Sequence, residues 1–228
     1  MTDIVNRHSL RALAARHRFS ILLTVLLLYV LAAPFIEDSS HGMLLHATLI
    51  SMVLLAAIGC LDSHRFSFTT SRWFGIVTLG SGWITVAVDL PALAVVNAAF
   101  RIAFFAVVTA TLIGQIAATP RVTTGTIVGA ISGYLLLGII GTAGFVIVEA
   151  AAPGSLRADP MPLTPSAYLY YAFITMATVG YGDIVPVAPA ARSLAILLAV
   201  AGQLYIAVLI AIIVGKYLSP AHADSSGS

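Results

Sequence analysis

One stretch, Thr175-Met176-Ala177-Thr178-Val179-Gly180-Tyr181-Gly182-Asp183, limits what the rest of the chain can be. It lies between a short apolar and aromatic run, Tyr168 to Ile174, and a long apolar run that begins near Ala190. Gly180 and Gly182 admit backbone angles closed to other residues, so a segment holding them can turn several successive carbonyls the same way. Such a segment is not helix. At membrane depth, non-helical backbone is tolerated only where it lines a watery path or is buried in protein.

Composition places the chain in a membrane. Of its 228 residues 60% are hydrophobic and only 9% charged, and the mean hydropathy is +1.02, far outside the range of soluble globular proteins. The single cysteine, Cys60, excludes an intrachain disulfide framework and reads as a buried or lipid-facing small residue. The N-terminus is not a cleavable signal peptide, because mostly polar and basic residues precede the first apolar run.

The apolar runs divide into six expected spans. Residues 1–18 form a basic flank with Arg7, Arg11, Arg16 and Arg18, which either lies on anionic headgroups as a short interfacial helix or only orients the first span. Ser20 to Ile36 is uncharged and, with its flanks, long enough for a hydrocarbon core of about 30 Å. Met43 to Leu61 follows, with His46 as its one titratable side chain and an interfacial residue by position. Trp73 to Val88 is a shorter third span, and Ala92 to Ala118 a fourth that contains Arg101. In the fifth, Val122 to Val148, Gly125, Gly129 and Gly133 share one helical face, a stripe that lets another helix backbone approach closely. Glu149 to Ser166, rich in proline, is a loop or turret, and Ala190 to Tyr217 is the sixth span.

Basic residues fall at the N-terminus, in the second loop, in the 118–124 linker and at Lys216, whereas the first loop holds Glu37 and Asp38 and the third Asp89. The positive-inside rule therefore puts both termini in the cytoplasm. Six spans satisfy that, and the loop between the fifth and sixth then enters from the outside. The expected location is an integral protein of the plasma (inner) membrane.

With these residues in view, the chain resembles the tetrameric potassium channels, of the six-span type with one pore loop. The resemblance is specific over about residues 165–216 and loose over the first four spans. It implies an all-α membrane fold of six transmembrane helices plus a re-entrant pore helix and filter, with four identical chains around one pore. The domains expected are a cytoplasmic N-terminus over 1–18, a four-helix voltage-sensor-like unit over 19–118, a pore unit over 119–217 and a short cytoplasmic tail over 218–228. Thr178, Val179, Gly180, Tyr181 and Gly182 stand for the selectivity filter, K⁺ being held by carbonyls of Thr178, Val179, Gly180 and Tyr181 and by the Thr178 hydroxyl. No cofactor beyond K⁺ in the filter is implied, and the partners are the other three chains and lipid, with no nucleic acid.

Around the filter the resemblance assigns support to Asp183, Tyr170, Tyr171 and Thr175, the two tyrosines standing where many members carry tryptophans, and Ala177 standing where threonine is common. Pro165 opens the pore helix, expected over 166–175, where its missing N–H is harmless. Gly202 lies where many members have a hinge glycine, although a packing glycine beneath the pore helix explains it equally. Gln203 is the polar side chain expected to face the cavity, and Ile206, Ile210 and Val214 form one stripe that in four copies closes a pore by dewetting.

The first four spans match a voltage sensor in number only. Such sensors use several arginines, each worth about 2.3 kcal/mol per 100 mV, and this fourth span has Arg101 alone, an intramembrane charge that either pairs with Asp89 or lines a crevice. Little voltage dependence is expected. After Tyr217 there is no room for a ligand-binding regulatory domain, so gating by such a ligand is absent or uses another subunit. Three alternatives stand beside a K⁺ channel: a K⁺ transporter, a non-conducting accessory subunit, and a weakly selective cation channel if Ala177 and the tyrosines leave the filter pliable. An enzyme has no support, there being no metal-ligand cluster and no nucleophile with a base.

Overall fold

In hydrocarbon a backbone must satisfy its own hydrogen bonds, so long apolar runs become helices, and the computed structural model of the chain bears this out. It describes residues 2–36, 41–61, 67–88, 90–119, 122–159 and 162–218. Seven helices appear among them: α1 Thr2–Ile36, α2 Gly42–Cys60, α3 Ser67–Ala87, α4 Pro91–Ala118, α5 Thr124–Ala151, the short α6 Pro165–Met176, and α7 Pro189–Leu218. Their starts follow local chemistry. Pro91 and Pro165 sit at helix openings where no N–H is needed. Thr164 caps α6 by accepting from Ala167 N, and Thr123 forms a capping box with Thr126 at α5. The N-terminal residues are continuous with the first span in α1 and form no separate helix.

Among the described residues five helices are long and apolar enough to cross a membrane: His17–Ile36, Gly42–Cys60, Ala92–Ala118, Thr124–Ala151 and Pro189–Lys216. Within α3, 21 residues long, the stretch Trp73–Ala87 is apolar, about 22 Å of helix, and is not among those five. Inside it the hydroxyls of Thr78, Ser81 and Thr85 return to carbonyls of their own helix: Phe74 at 2.8 Å, Thr78 at 2.9 Å and Gly82 at 2.6 Å. Asp62, Asp89 and the 219–228 tail lie outside the described residues.

Two apolar clusters organise the packing. The first joins α1, α2, α4 and α5 through Leu22, Leu26, Val53, Leu54, Phe104, Phe105 and Leu136. The second joins α5, α6 and α7 through Phe145, Tyr171, Met176, Ile184, Ala191 and Leu198. Helix α5 thus belongs to both, and its glycines explain how. Gly125 and Gly129 seat the Phe19 ring of α1, whereas Gly138 lies against the Phe173 ring of α6, and Gly141 and Gly144 against Leu198 and Leu194 of α7. A methyl at Gly138 would come within 2.5 Å of Phe173 Cζ. Gly133, the third of the expected stripe, meets Tyr205, whose hydroxyl donates to Ala130 O at 2.7 Å.

At the C-terminal end of α7, the Lys216 ammonium donates to the carbonyls of Ile116 at 2.6 Å, Ala117 at 2.9 Å and Thr119. These are orphan acceptors at the C-terminus of α4, where a cation also faces the negative end of the helix dipole. One side chain therefore ties the end of α7 to the end of α4.

Candidate functional site

The loop between α5 and α7 holds the 178–182 segment from both sides. Before it, α6 ends at Met176, and its last carbonyls take the amides of the turn: Ala177 N donates to Phe173 O, Thr178 N to Thr175 O, and Val179 N to Ile174 O at 2.9, 3.0 and 2.8 Å. After it, β2 (Ile184–Pro186) pairs antiparallel with β1 (Leu156–Ala158), with Ala158 opposite Ile184 and Leu156 opposite Pro186. Two buried side chains, Leu156 and Ile184, anchor that ribbon in the second cluster. The Glu149 carboxylate orders the turret by accepting from Gly154 N at 2.6 Å and Leu156 N at 2.9 Å.

Between these supports the backbone alternates. Thr178, Gly180 and Gly182 have positive φ, at 59°, 54° and 82°, whereas Val179 and Tyr181 do not. Positive φ thus recurs at every second residue of the segment. Glycine adopts the left-handed form freely, but Thr178 is β-branched, and holding it there stores about 1–3 kcal/mol of strain. Among the described residues no group donates to the carbonyls of Thr178 to Gly182. Residues 177–183 are exposed in the single chain, so these acceptors stand open to a partner outside it.

The other sequence-derived positions divide into three groups. Tyr170 and Thr175 stand beside the segment: the Tyr170 hydroxyl donates to Asp183 Oδ2 at 2.6 Å, and Ile184 N donates to Asp183 Oδ1 at 3.0 Å. The first of these bonds holds the Asp183 carboxyl below the usual carboxylate range and, from the other side, pushes the Tyr170 phenol up to about 12. The Tyr171 ring instead meets Phe145 of α5, centroids 4.7 Å apart and planes tilted by 59°, so the tyrosine pair has two duties: one bonds Asp183, the other seats the helix.

Gly202 lies directly beneath the end of α6. A Cβ there would collide with the Met176 side chain and come within 2.7 Å of the Met176 carbonyl oxygen. Gln203, Ile206, Ile210 and Val214 share an exposed face of α7. Arg101 belongs elsewhere, among the first four helices, where its Nε donates to Asn97 Oδ1 at 2.7 Å. The partner suggested by sequence, Asp89, is outside the described residues.

Sequence reasoning missed the β1–β2 ribbon, the triplet Gly138, Gly141 and Gly144, and the Lys216 cap. The triplet had a signal, since three glycines spaced three apart in an Ile/Leu-rich run mark a close helix contact. The ribbon had little, its strands being only three residues each.

No curated protein and no solved structure matches the chain. Residues 133–218, which contain most of α5, all of α6, the alternating segment and α7, match the family model described as ion channel, a match that supports passive ion conduction by an integral membrane protein.

Proposed function

We propose that the chain is one subunit of a K⁺-selective channel in which four copies surround a single pore, and that it conducts passively and without strong voltage dependence. One observation carries this reading: alternating positive φ at Thr178, Gly180 and Gly182, with carbonyls that accept no hydrogen bond from the described residues. Such carbonyls replace an ion's hydration shell, and release between adjacent sites lets ions move on. Four copies are needed because one strand of carbonyls encloses no axis.

Exposure within the single chain supports that assembly. Val179 is 50% and Tyr181 74% exposed beside the ion path. In the α7 span only 11% is buried, against 50% in α5. A polar Gln203 on that uncovered face suits a watery cavity and not lipid, and Ile206, Ile210 and Val214 on the same side suit a dewetting gate below it. The C-terminal end of α6 aims its negative dipole toward the same cavity and favours a cation there.

The test is the reversal potential of purified protein in a planar bilayer with K⁺ on one side and Na⁺ on the other. Unitary steps reversing near the K⁺ equilibrium potential are expected, with open probability nearly flat in voltage and little changed by Arg101→Gln. Reversal near zero with large currents would point to a weakly selective cation pore; a steep voltage dependence abolished by Arg101→Gln would refute the voltage-independent part.

A pH prediction follows from Tyr170 and Asp183. Asp183 is depressed from its ordinary value of 3.8, so the bond supports the outer mouth above that value and is lost as pH falls through the lowered one. Tyr170 is raised from 10.0 to about 12, so its contribution is complete below pH 10.0 and is lost as pH rises through about 12. Across the neutral range the pair is therefore constant. Tyr170→Phe returns Asp183 toward the ordinary carboxylate range, and the midpoint for acid block from the outer side is expected to move to higher pH. An unchanged midpoint would remove Tyr170 from filter support.

A further inference from the structure

Away from the 178–182 segment, a cavity of about 470 Å³ lies among α2, α3, α4 and α5, with Tyr29 of α1 also lining it. Its walls come from the half of each helix that lies away from the termini: the start of α2, the end of α3, the start of α4 and the end of α5. It reaches Thr164 and Pro165, the cap and first residue of α6. The lining is mostly apolar, with Ile50, Leu54, Leu79 and Ile139, and it carries one permanent charge, Arg101. That volume and that mixture, an apolar chamber with few placed polar groups, are those of a small-molecule site.

The charge is aimed into place. Asn97 Nδ2 donates to Thr78 O at 3.2 Å and to Ser81 Oγ at 2.8 Å, which leaves Oδ1 turned to Arg101. Arg101 Nε donates to that oxygen at 2.7 Å. Asn97 is buried, so this small network is rigid and fixes where the guanidinium lies. Among the described residues no carboxylate bonds Arg101; the amide that holds it carries no charge, and the Tyr29 phenol shares the cavity with it. A guanidinium half-buried at membrane depth and bonded, among the described residues, only to a neutral amide is costly to hold, and its remaining donors are arranged in a planar fork that fits an oxyanion.

We infer that this cavity binds an anionic amphiphile, its carboxylate or phosphate head on Arg101 and its apolar chain along the aliphatic walls. The occupant touches both the first four helices and the cap of α6, so it joins the two apolar clusters at the seat of the pore helix. The site does not depend on the filter reading, because it is defined by binding and not by current.

The test uses the full-length protein, assembled and stripped of lipid in a neutral detergent, with bound mass read by native mass spectrometry. Oleate and dioleoylphosphatidylglycerol are titrated against methyl oleate and dioleoylphosphatidylcholine, which keep the chains and lack the net negative charge. Saturable uptake of an anionic probe in at least tenfold preference to its uncharged or zwitterionic counterpart is expected, and whichever anion saturates first identifies a carboxylate or a phosphate head. Uptake is expected to fall at least tenfold in Arg101→Gln and to persist within a few-fold in Arg101→Lys. Ala94→Phe, which fills the cavity and leaves the arginine, is expected to block uptake equally, and it decides the matter if Arg101→Gln does not assemble. Equal uptake of methyl oleate, or full uptake by assembled Arg101→Gln or Ala94→Phe, would overturn the inference.

Discussion

Gly202→Ala is expected to abolish K⁺ conduction, or to leave a pore of altered unitary conductance and poor selectivity, while the chain still inserts in the membrane. The added methyl meets two atoms of very different softness. The Met176 side chain can move to another rotamer, but the Met176 carbonyl oxygen, 2.7 Å from the new Cβ, is main chain at the last turn of α6. Overpacking of this kind costs about 1–3 kcal/mol per site, and relief must come from lifting the end of α6. Thr178 begins two residues later and already sits in a strained left-handed conformation. Displacement there passes straight into the carbonyl row.

The same substitution separates the two roles open to Gly202. A hinge would leave ion selectivity alone and change the fraction of time the pore is open, because alanine stiffens a helix that must bend. A packing role changes conductance and permeability ratio first. Single-channel recording reads both, and the tight approach to Met176 favours the second. Met176→Ala in the Gly202→Ala background removes the side-chain collision but not the carbonyl one, so only partial recovery is expected. Full recovery would mean that the end of α6 never moved.

Much of this architecture was legible before any coordinates. Span boundaries come within a few residues because hydrocarbon forces helices wherever charge is absent, and Pro91, Pro165 and Pro189 mark three helix starts openly. In the third helix the sequence did not show how the hydroxyls of Thr78, Ser81 and Thr85 are satisfied, and each bonds to a carbonyl of its own helix. The Gly125, Gly129 and Gly133 stripe was readable as a contact face, but not what it contacts: Phe19 and Tyr205 fill it with rings where close helix backbones were expected. At Arg101 the sequence offered a crevice as one reading, but not its walls: residues of several helices, among them Tyr29 of α1 and Pro165 of α6, build the cavity, and an arginine in an apolar run does not say which helices face it.

Gly180→Ala is expected to eliminate selective conduction, and Gly154→Ala provides the control that says why. Both glycines have positive φ, 54° and 83°, and neither has any atom within 4 Å of where a Cβ would stand. Each substitution therefore carries the same kind of local cost, about 1–2 kcal/mol for an L residue in the left-handed region, and about four times that in a tetramer. At Gly154, in the turret, relaxation turns a peptide that contacts no ion path, so a small loss of thermal stability with unchanged permeability is expected. At Gly180, relaxation breaks the alternation between Thr178 and Gly182 and rotates a carbonyl out of the row. The measurement is the K⁺ to Na⁺ permeability ratio together with the melting temperature of the assembled protein for each variant. Equal melting losses with selectivity lost only in Gly180→Ala would assign conduction to carbonyl direction and not to general destabilisation. Selectivity retained in Gly180→Ala would sink the filter reading, because a row of carbonyls that survives loss of its alternation was never what chose the ion.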